Sequence, residues 1–286
     1  MPGTLDRFVG KTLGLVKLPP HLPALAISFF LFLLIHQVAS PILSRRLAPQ
    51  SYGAIKGKIA RNNWAIHVVS QCHVLVVVPL ALWCIMIETP GRNDDWDRAF
   101  GWDEHAGIVH AIACGYFLWD SLDAIINFID LGFVLHGIST YLFTYHFPLK
   151  PFVAYYATRC LLWESSTFFL NNHWFLDKTG RTGTKAQLVN GIFLLATFFG
   201  VRIVYGGKIS WDFMHTLLHV RKDVPPTYAI VFSIGNVLLV ALNWIWFAKM
   251  IAALRKRFNK DAGERTKLVR GSGASVEGEN NAEARA

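Results

Sequence analysis

Charge is what this 286-residue chain has least of. Asp, Glu, Lys and Arg together make up 16% of it, where an ordinary soluble domain carries about 25%. With 53% hydrophobic residues gathered in repeated runs of about 20, that scarcity excludes an ordinary water-soluble globule and points to several membrane spans. Cysteine is also scarce. Cys72, Cys84, Cys114 and Cys160 each lie in an apolar run, with no CxxC or other metal-ligand spacing. This excludes a disulfide framework, and neither a cofactor nor a metal is expected. The first apolar run starts near Leu25 without a clear small-residue cleavage site, so no cleavable signal peptide is expected. Acid is missing from the loop that carries Arg45, Arg46, Lys56, Lys58 and Arg61. In a membrane protein the net charge of +9 reads as basic cytoplasmic loops and contact with anionic lipid, and no nucleic-acid partner is expected.

What is present is a succession of apolar segments, read here as an all-α, multi-pass transmembrane bundle of about seven spans. They run roughly Ala24–Leu43, Trp64–Ile87, His105–Phe128, Leu131–Phe147, Phe152–Asn172, Ala186–Tyr205 and Thr227–Met250. Pro148 and Pro151 separate the fourth from the fifth, since proline cannot continue a helix without losing a bond. Three regions follow: an N-terminal lead, first span and basic loop (1–63), a principal domain (64–250), and a tail (251–286) that begins basic and then becomes too polar to bury a core. The basic loops around 45–61 and 178–185 and the basic start of the tail fall on one side of a seven-span chain. The acidic loop 88–104 falls on the other. Because Lys and Arg favour the cytoplasmic side, the C-terminus is expected in the cytoplasm.

Within the apolar background stand a few expensive side chains. A charge at the centre of a membrane helix costs about 2.5–3.5 kcal/mol on insertion scales, and such groups mark sites by default. Asp120, His136 and Glu164 lie on spans three, four and five, each about 9–12 Å from the cytoplasmic end at 1.5 Å per residue. His73 and Asn190 lie within about a turn or two of that level, and the five together form the expected lipid-binding set. Asp123 is nearer the cytoplasmic end and is expected to face water. Arg202, about 6 Å from the opposite end of its span, is expected to snorkel rather than to reach Glu164. His215 and His219 form an HxxxH pair beyond span six. They lack the glutamate of a metalloprotease helix and read as solvated loop histidines.

Several short segments carry a resemblance. Ser70 and His73 form an S-x-x-H pair, GYFLWD (115–120) a G-Y-x-x-x-D segment, WESSTFFLN (163–171) an E-x-S-T-x-F-x-N-like segment and FFGVRI (198–203) an F-F-x-x-R-I segment. In order and spacing they resemble the TLC-domain membrane proteins, the family that includes the ceramide synthases, over about Trp64–Met250. The resemblance implies six core helices around a lipid-accessible cavity, with span one as an added peripheral helix. It also implies a role in lipid homeostasis, in the endoplasmic reticulum. Ceramide synthases have two adjacent histidines and a downstream aspartate pair. Here His136 is followed by Gly137, and the next residues hold no aspartate pair.

The expected function is therefore a membrane protein that binds or senses an acyl lipid, its partner being membrane lipid. The alternative is a ceramide-synthase-like N-acyltransferase, with His136 as general base oriented by Asp120 and acyl-CoA as donor. A second alternative is a cargo receptor or translocon accessory protein. The sequence does not set the oligomeric state. An N-glycan acceptor engineered into loop 91–98 should be modified in cells and one in 178–184 should not, and the reverse pattern would invert the orientation.

Overall fold

The computed structural model describes Phe8 and residues 14–88, 94–128, 131–141 and 152–283, with side chains as far as residue 256. Helix is the only regular element among the described residues. A chain this apolar must satisfy its backbone groups within each segment, which a helix does. The order is α1 (Leu18–Leu47), α2 (Pro49–Gly53), α3 (Lys58–Ile87), α4 (Asp95–Phe100), α5 (Glu104–Ile126), α6 (Leu131–Ser139), α7 (Ala154–Cys160), α8 (Ser165–Lys178), α9 (Lys185–His219) and α10 (Pro226–Glu283). Several starts are written in local chemistry. Asp94, Asp103 and Thr184 are N-caps whose side chains accept from the backbone N–H of Asp97, Ala106 and Gln187.

The molecule is a multi-pass helical bundle. Among the described residues five helices, α1, α3, α5, α9 and α10, are long and apolar enough to cross a membrane. The fifth expected span is traversed in pieces: α7, a 3-10 turn at Leu161–Glu164, and α8. The fourth begins as α6, and its remainder falls outside the described residues. Three long helices contain a wide π turn, at Ile35–Ala39 in α1, Cys84–Glu88 at the end of α3, and Phe199–Val204 in α9. Such turns insert one residue into the helical ladder.

α5 is the central post. Of its apolar stretch 61% is buried, against 17–39% for the other four candidate spans. α1 stays at the edge of the bundle, with Ile27, Phe30, Leu31 and Leu34 outward. Its inward stripe is nevertheless tightly docked. Ser28 Oγ donates to the Ile112 carbonyl at 2.7 Å. A Cβ on Gly115 would lie 2.5 Å from the Leu25 carbonyl oxygen and 2.8 Å from the Phe29 nitrogen. Only glycine permits that backbone approach, the small-residue packing that membrane helices use where no hydrophobic effect drives them together.

One apolar core gathers Leu15, Leu18 and Phe32 with Val69, Val77, Tyr116, Phe117 and Leu161. A second joins Ala99, Phe152 and Tyr156 to Ile209, Phe213, Leu217 and Phe232. The loops also group as their charges imply. Pro49 and Gln50 share a cleft with Thr179 and Arg181, so the loops at 45–61 and 177–185 lie at one end. α4, from the acidic loop, meets the last turns of α9 at the other.

By packing, the chain divides into residues 1–243 and 244–286. The tail, expected to lack structure, runs helical to Glu283, and its first half, rich in Lys, Arg and Ala, has the local propensity for it. Replacing Gly115 with valine should destabilise the fold by about 1–3 kcal/mol or more, the usual range for overpacking. A lowered melting temperature in detergent would register it, whereas an unchanged one would mean that α1 is not seated on α5.

Candidate functional site

The polar centre of the bundle is built around Arg202. The straight-helix reading put this residue near the end of a span stopping at Tyr205. The helix instead continues to His219, which places Arg202 midway along α9, inside its π turn. The expectation that it snorkels away from Glu164 is therefore overturned. Arg202 is 7% exposed, and its Nη2 donates to Glu164 Oε1 at 3.2 Å. Nη2 also reaches Thr167 Oγ1 at 3.2 Å, Nε donates to Ser166 Oγ at 2.9 Å and to the Trp163 carbonyl at 3.1 Å, and Nη1 reaches Asn243 Oδ1 at 3.3 Å. The 3-10 turn supplies two of these partners, Glu164 and the Trp163 carbonyl. The guanidinium fork thus ties the α7–α8 segment to α9 and to Asn243 of α10.

The other expected members stand around this pair. Asp120, half-buried on α5, lies within electrostatic range of Glu164. His136, half-buried on α6, lies within range of Arg202, with Thr140 Oγ1 3.4 Å from its Nδ1. Glu164 is held by Arg202, and α6, which carries His136, is set against Asp120 of α5 at Gly137. Gly137 is how α6 gets there. A Cβ at that position would stand 3.2 Å from Ser121 Oγ and 3.5 Å from Asp120 Oδ2. Gly137, directly after His136, is a contact surface against α5.

His73 is fully buried and stacked on Tyr116, ring centroids 3.6 Å apart and 6° from parallel, with Phe32 and Phe117 edge-on. Neither of its ring nitrogens has a hydrogen-bond partner among the described residues. Asn171, 1% exposed, holds α8 to α3: its Oδ1 is 2.8 Å from His67 Nδ1 and its Nδ2 donates to Ser70 Oγ at 3.1 Å. Asn190 lies apart, about 18 Å along α9 from Arg202 at 1.5 Å per residue. It donates to the Phe169 carbonyl and lines a cleft of about 760 Å³ with Gln71, Asn172 and Arg181.

Sequence reasoning missed a second cleft, of about 830 Å³, between α1, α3 and α5. Phe29, Leu33 and Trp119 make its apolar wall, and Arg45, Lys58 and Arg61 stand at its mouth. Asp123, expected to face water, is buried beside it, accepting from Asn62 at 3.0 Å and from Asn127 at 2.9 Å. The only signal was the acid-free basic loop, and it was read for orientation alone.

Residues 63–252 match the TLC domain. The chain belongs to the TLC-domain family. An uncharacterised TLC domain-containing protein of Schizosaccharomyces pombe is 36% identical over 88% of this chain and 83% of its own. Topoisomerase I damage affected protein 4 of Saccharomyces cerevisiae is 27% identical over 82% of this chain and 85% of its own. TLC domain-containing protein 4 of Homo sapiens is 29% identical over 78% and 85%. No solved structure matches the chain. In this TLC-domain protein the segments that carried the resemblance are joined to one another: Ser70 to Asn171, and Arg202 to Glu164, Ser166 and Thr167.

Removing Arg202 alone leaves Glu164 buried without its partner. Arg202→Met should cost about 3–5 kcal/mol, read as lost thermal stability in detergent, and Glu164→Leu added to it should restore a large part. Failure of the double variant to recover would show that the hydrogen bonds to Ser166, Thr167 and Trp163 matter more than the charge pair.

Proposed function

We propose that this TLC-domain protein is a lipid-homeostasis protein of the endoplasmic reticulum, its C-terminus cytoplasmic, that binds an acyl lipid within the membrane. One observation carries the reading: the cleft between α1, α3 and α5 joins an apolar wall of Phe29, Leu33 and Trp119 to a mouth of three cations, Arg45, Lys58 and Arg61. That is the chemistry of an amphiphile with a phosphate-bearing head. The tail gains about 0.8 kcal/mol for each methylene it buries, and the guanidinium groups take the phosphate by charge-assisted hydrogen bonds. Its volume is that of an ordinary small-molecule site, about 300–1,000 Å³. Among the deeper residues, Glu164 is engaged with Arg202, and Asp120 and His136 flank that pair as candidates for a second contact with the lipid.

The N-acyltransferase reading gains nothing from the geometry around His136. A Cβ on Gly137, the residue after His136, would stand 3.2 Å from Ser121 Oγ, so that position packs against α5.

Lipid extracted from purified protein and identified by mass spectrometry tests the proposal. An anionic phospholipid should co-purify, and reversing Arg45, Lys58 and Arg61 together to glutamate should reduce it severalfold while the helical content stays. Ceramide made from acyl-CoA and a long-chain base, and abolished by His136→Ala, would replace this reading with the acyltransferase one. Protein that carries no specific lipid would make the cleft structural and favour a cargo receptor or translocon accessory role.

A further inference from the structure

The HxxxH pair read from sequence as solvated loop histidines acquires a third member in the folded chain. α4, a six-residue helix from the acidic loop, brings Asp95 to the last two turns of α9. Asp95 Oδ2 lies 3.5 Å from His215 Nδ1 and 3.4 Å from His219 Nδ1. One ligand atom from each of the three lies within 4.8 Å of the others. A tetrahedral ion with bonds of about 2.0–2.1 Å to nitrogen and oxygen holds its ligands about 3.3 Å apart. Both carboxylate–imidazole separations are close to that edge length. The two imidazoles sit four residues apart on one helix face, their ring centroids 4.1 Å apart.

The carboxylate is aimed rather than free. Its other oxygen, Oδ1, accepts from the hydroxyl of Thr216, which is fully buried. Thr216 is in turn 2.7 Å from the Tyr156 hydroxyl, which also reaches the Asp212 carbonyl at 3.1 Å. α4 itself is pinned, because the Val153 N–H donates to the Ala99 carbonyl at 2.6 Å and Phe100 packs on Phe152. A supporting group that orients a ligand in this way is what metal sites require. The histidines stay exposed and Asp95 half-exposed, so an ion has access and water can complete the coordination. α9 runs 35 residues, about 52 Å at 1.5 Å per residue, against a hydrocarbon core of about 30 Å. Its final turns therefore have room to stand clear of the lipid.

We propose that Asp95, His215 and His219 bind a zinc ion, which clamps α4 to the end of α9 with water in the fourth position. Two imidazoles and one carboxylate suit zinc, whereas calcium and magnesium call for oxygen ligands alone. His219 Nδ1 also lies 2.9 Å from the His215 carbonyl. Ligation through that nitrogen replaces this hydrogen bond and places the ring proton on Nε2.

Full-length protein purified in detergent, stripped by chelator and titrated with zinc, decides the matter, together with the visible spectrum of the cobalt-substituted form. One equivalent per chain should bind, with the intense d–d bands of tetrahedral cobalt and no competition from magnesium or calcium. Thr216→Val, which frees the carboxylate, should weaken binding by about 10–100-fold, the usual effect of losing a supporting group. His215→Ala and His219→Ala should weaken it further, and His105→Ala should leave it intact. Absence of zinc uptake and of cobalt bands in the unaltered protein would overturn the proposal. So would uptake that survives His215→Ala and His219→Ala together. Should those variants fail to fold, the spectrum of the unaltered protein decides alone.

Discussion

A guanidinium cannot lose its charge, so one placed mid-membrane must find a partner for nearly every N–H it carries. Arg202 meets that demand with a carboxylate, two hydroxyls, a backbone carbonyl and an amide. Much of the bundle's irregularity can be understood as serving it. The 3-10 turn at Leu161–Glu164 and the π turn at Phe199–Val204 face each other across the same contact. Each departs from the α-helical ladder in the opposite sense, one tighter and one wider. Two regular helices would have left part of the guanidinium unsatisfied, and an unpaired buried charge is among the costliest faults a fold can contain.

The segments that carried the resemblance are, in this light, largely the two sides of the same few joints. Ser70 and Asn171 close α3 on α8, and the E-x-S-T run closes on Arg202. Residues that are expensive in lipid need not react to be needed. They specify which helix lies beside which, a choice that apolar side chains in an apolar solvent make only weakly. What remains for ligand chemistry then lies toward the rims: a cationic mouth at one end and the histidine–aspartate group at the other.

How far the sequence was legible follows from this division. The all-helical class, the family and the grouping of loops came from composition, apolar runs and short motifs, which are local properties. Depth alone led to the expectation that Asp120, His136 and Glu164 converge, because an axial coordinate survives errors of a few residues. The partner of Glu164 was not. Arg202 was assigned its depth from a span ending at Tyr205, and no local signal shows that the helix continues through Gly206 and Gly207 to His219. Nor could spacing reveal that Asp95 meets a histidine pair some 120 residues later, since that contact depends on how α4 packs. Gly137 was read as a lost histidine, and its positive use, letting α6 approach α5, needs the neighbouring helix to be seen. Asp123 shows the same limit, since its partner Asn62 lies on another helix.

The π turn in α9 has a consequence for the relation between the two ends of that helix. A residue inserted into a helix of 3.6 residues per turn advances the angular phase by about 100°. The segment before Phe199 and the segment after Val204 therefore point along different compass bearings, although they share one axis. Asn190 belongs to the first bearing, and His215 and His219 to the second. α9 behaves as two helices locked at a fixed rotation, with Arg202 in the lock. The ion-paired centre and the histidine end thus share a single backbone whose winding sets them on different sides of it.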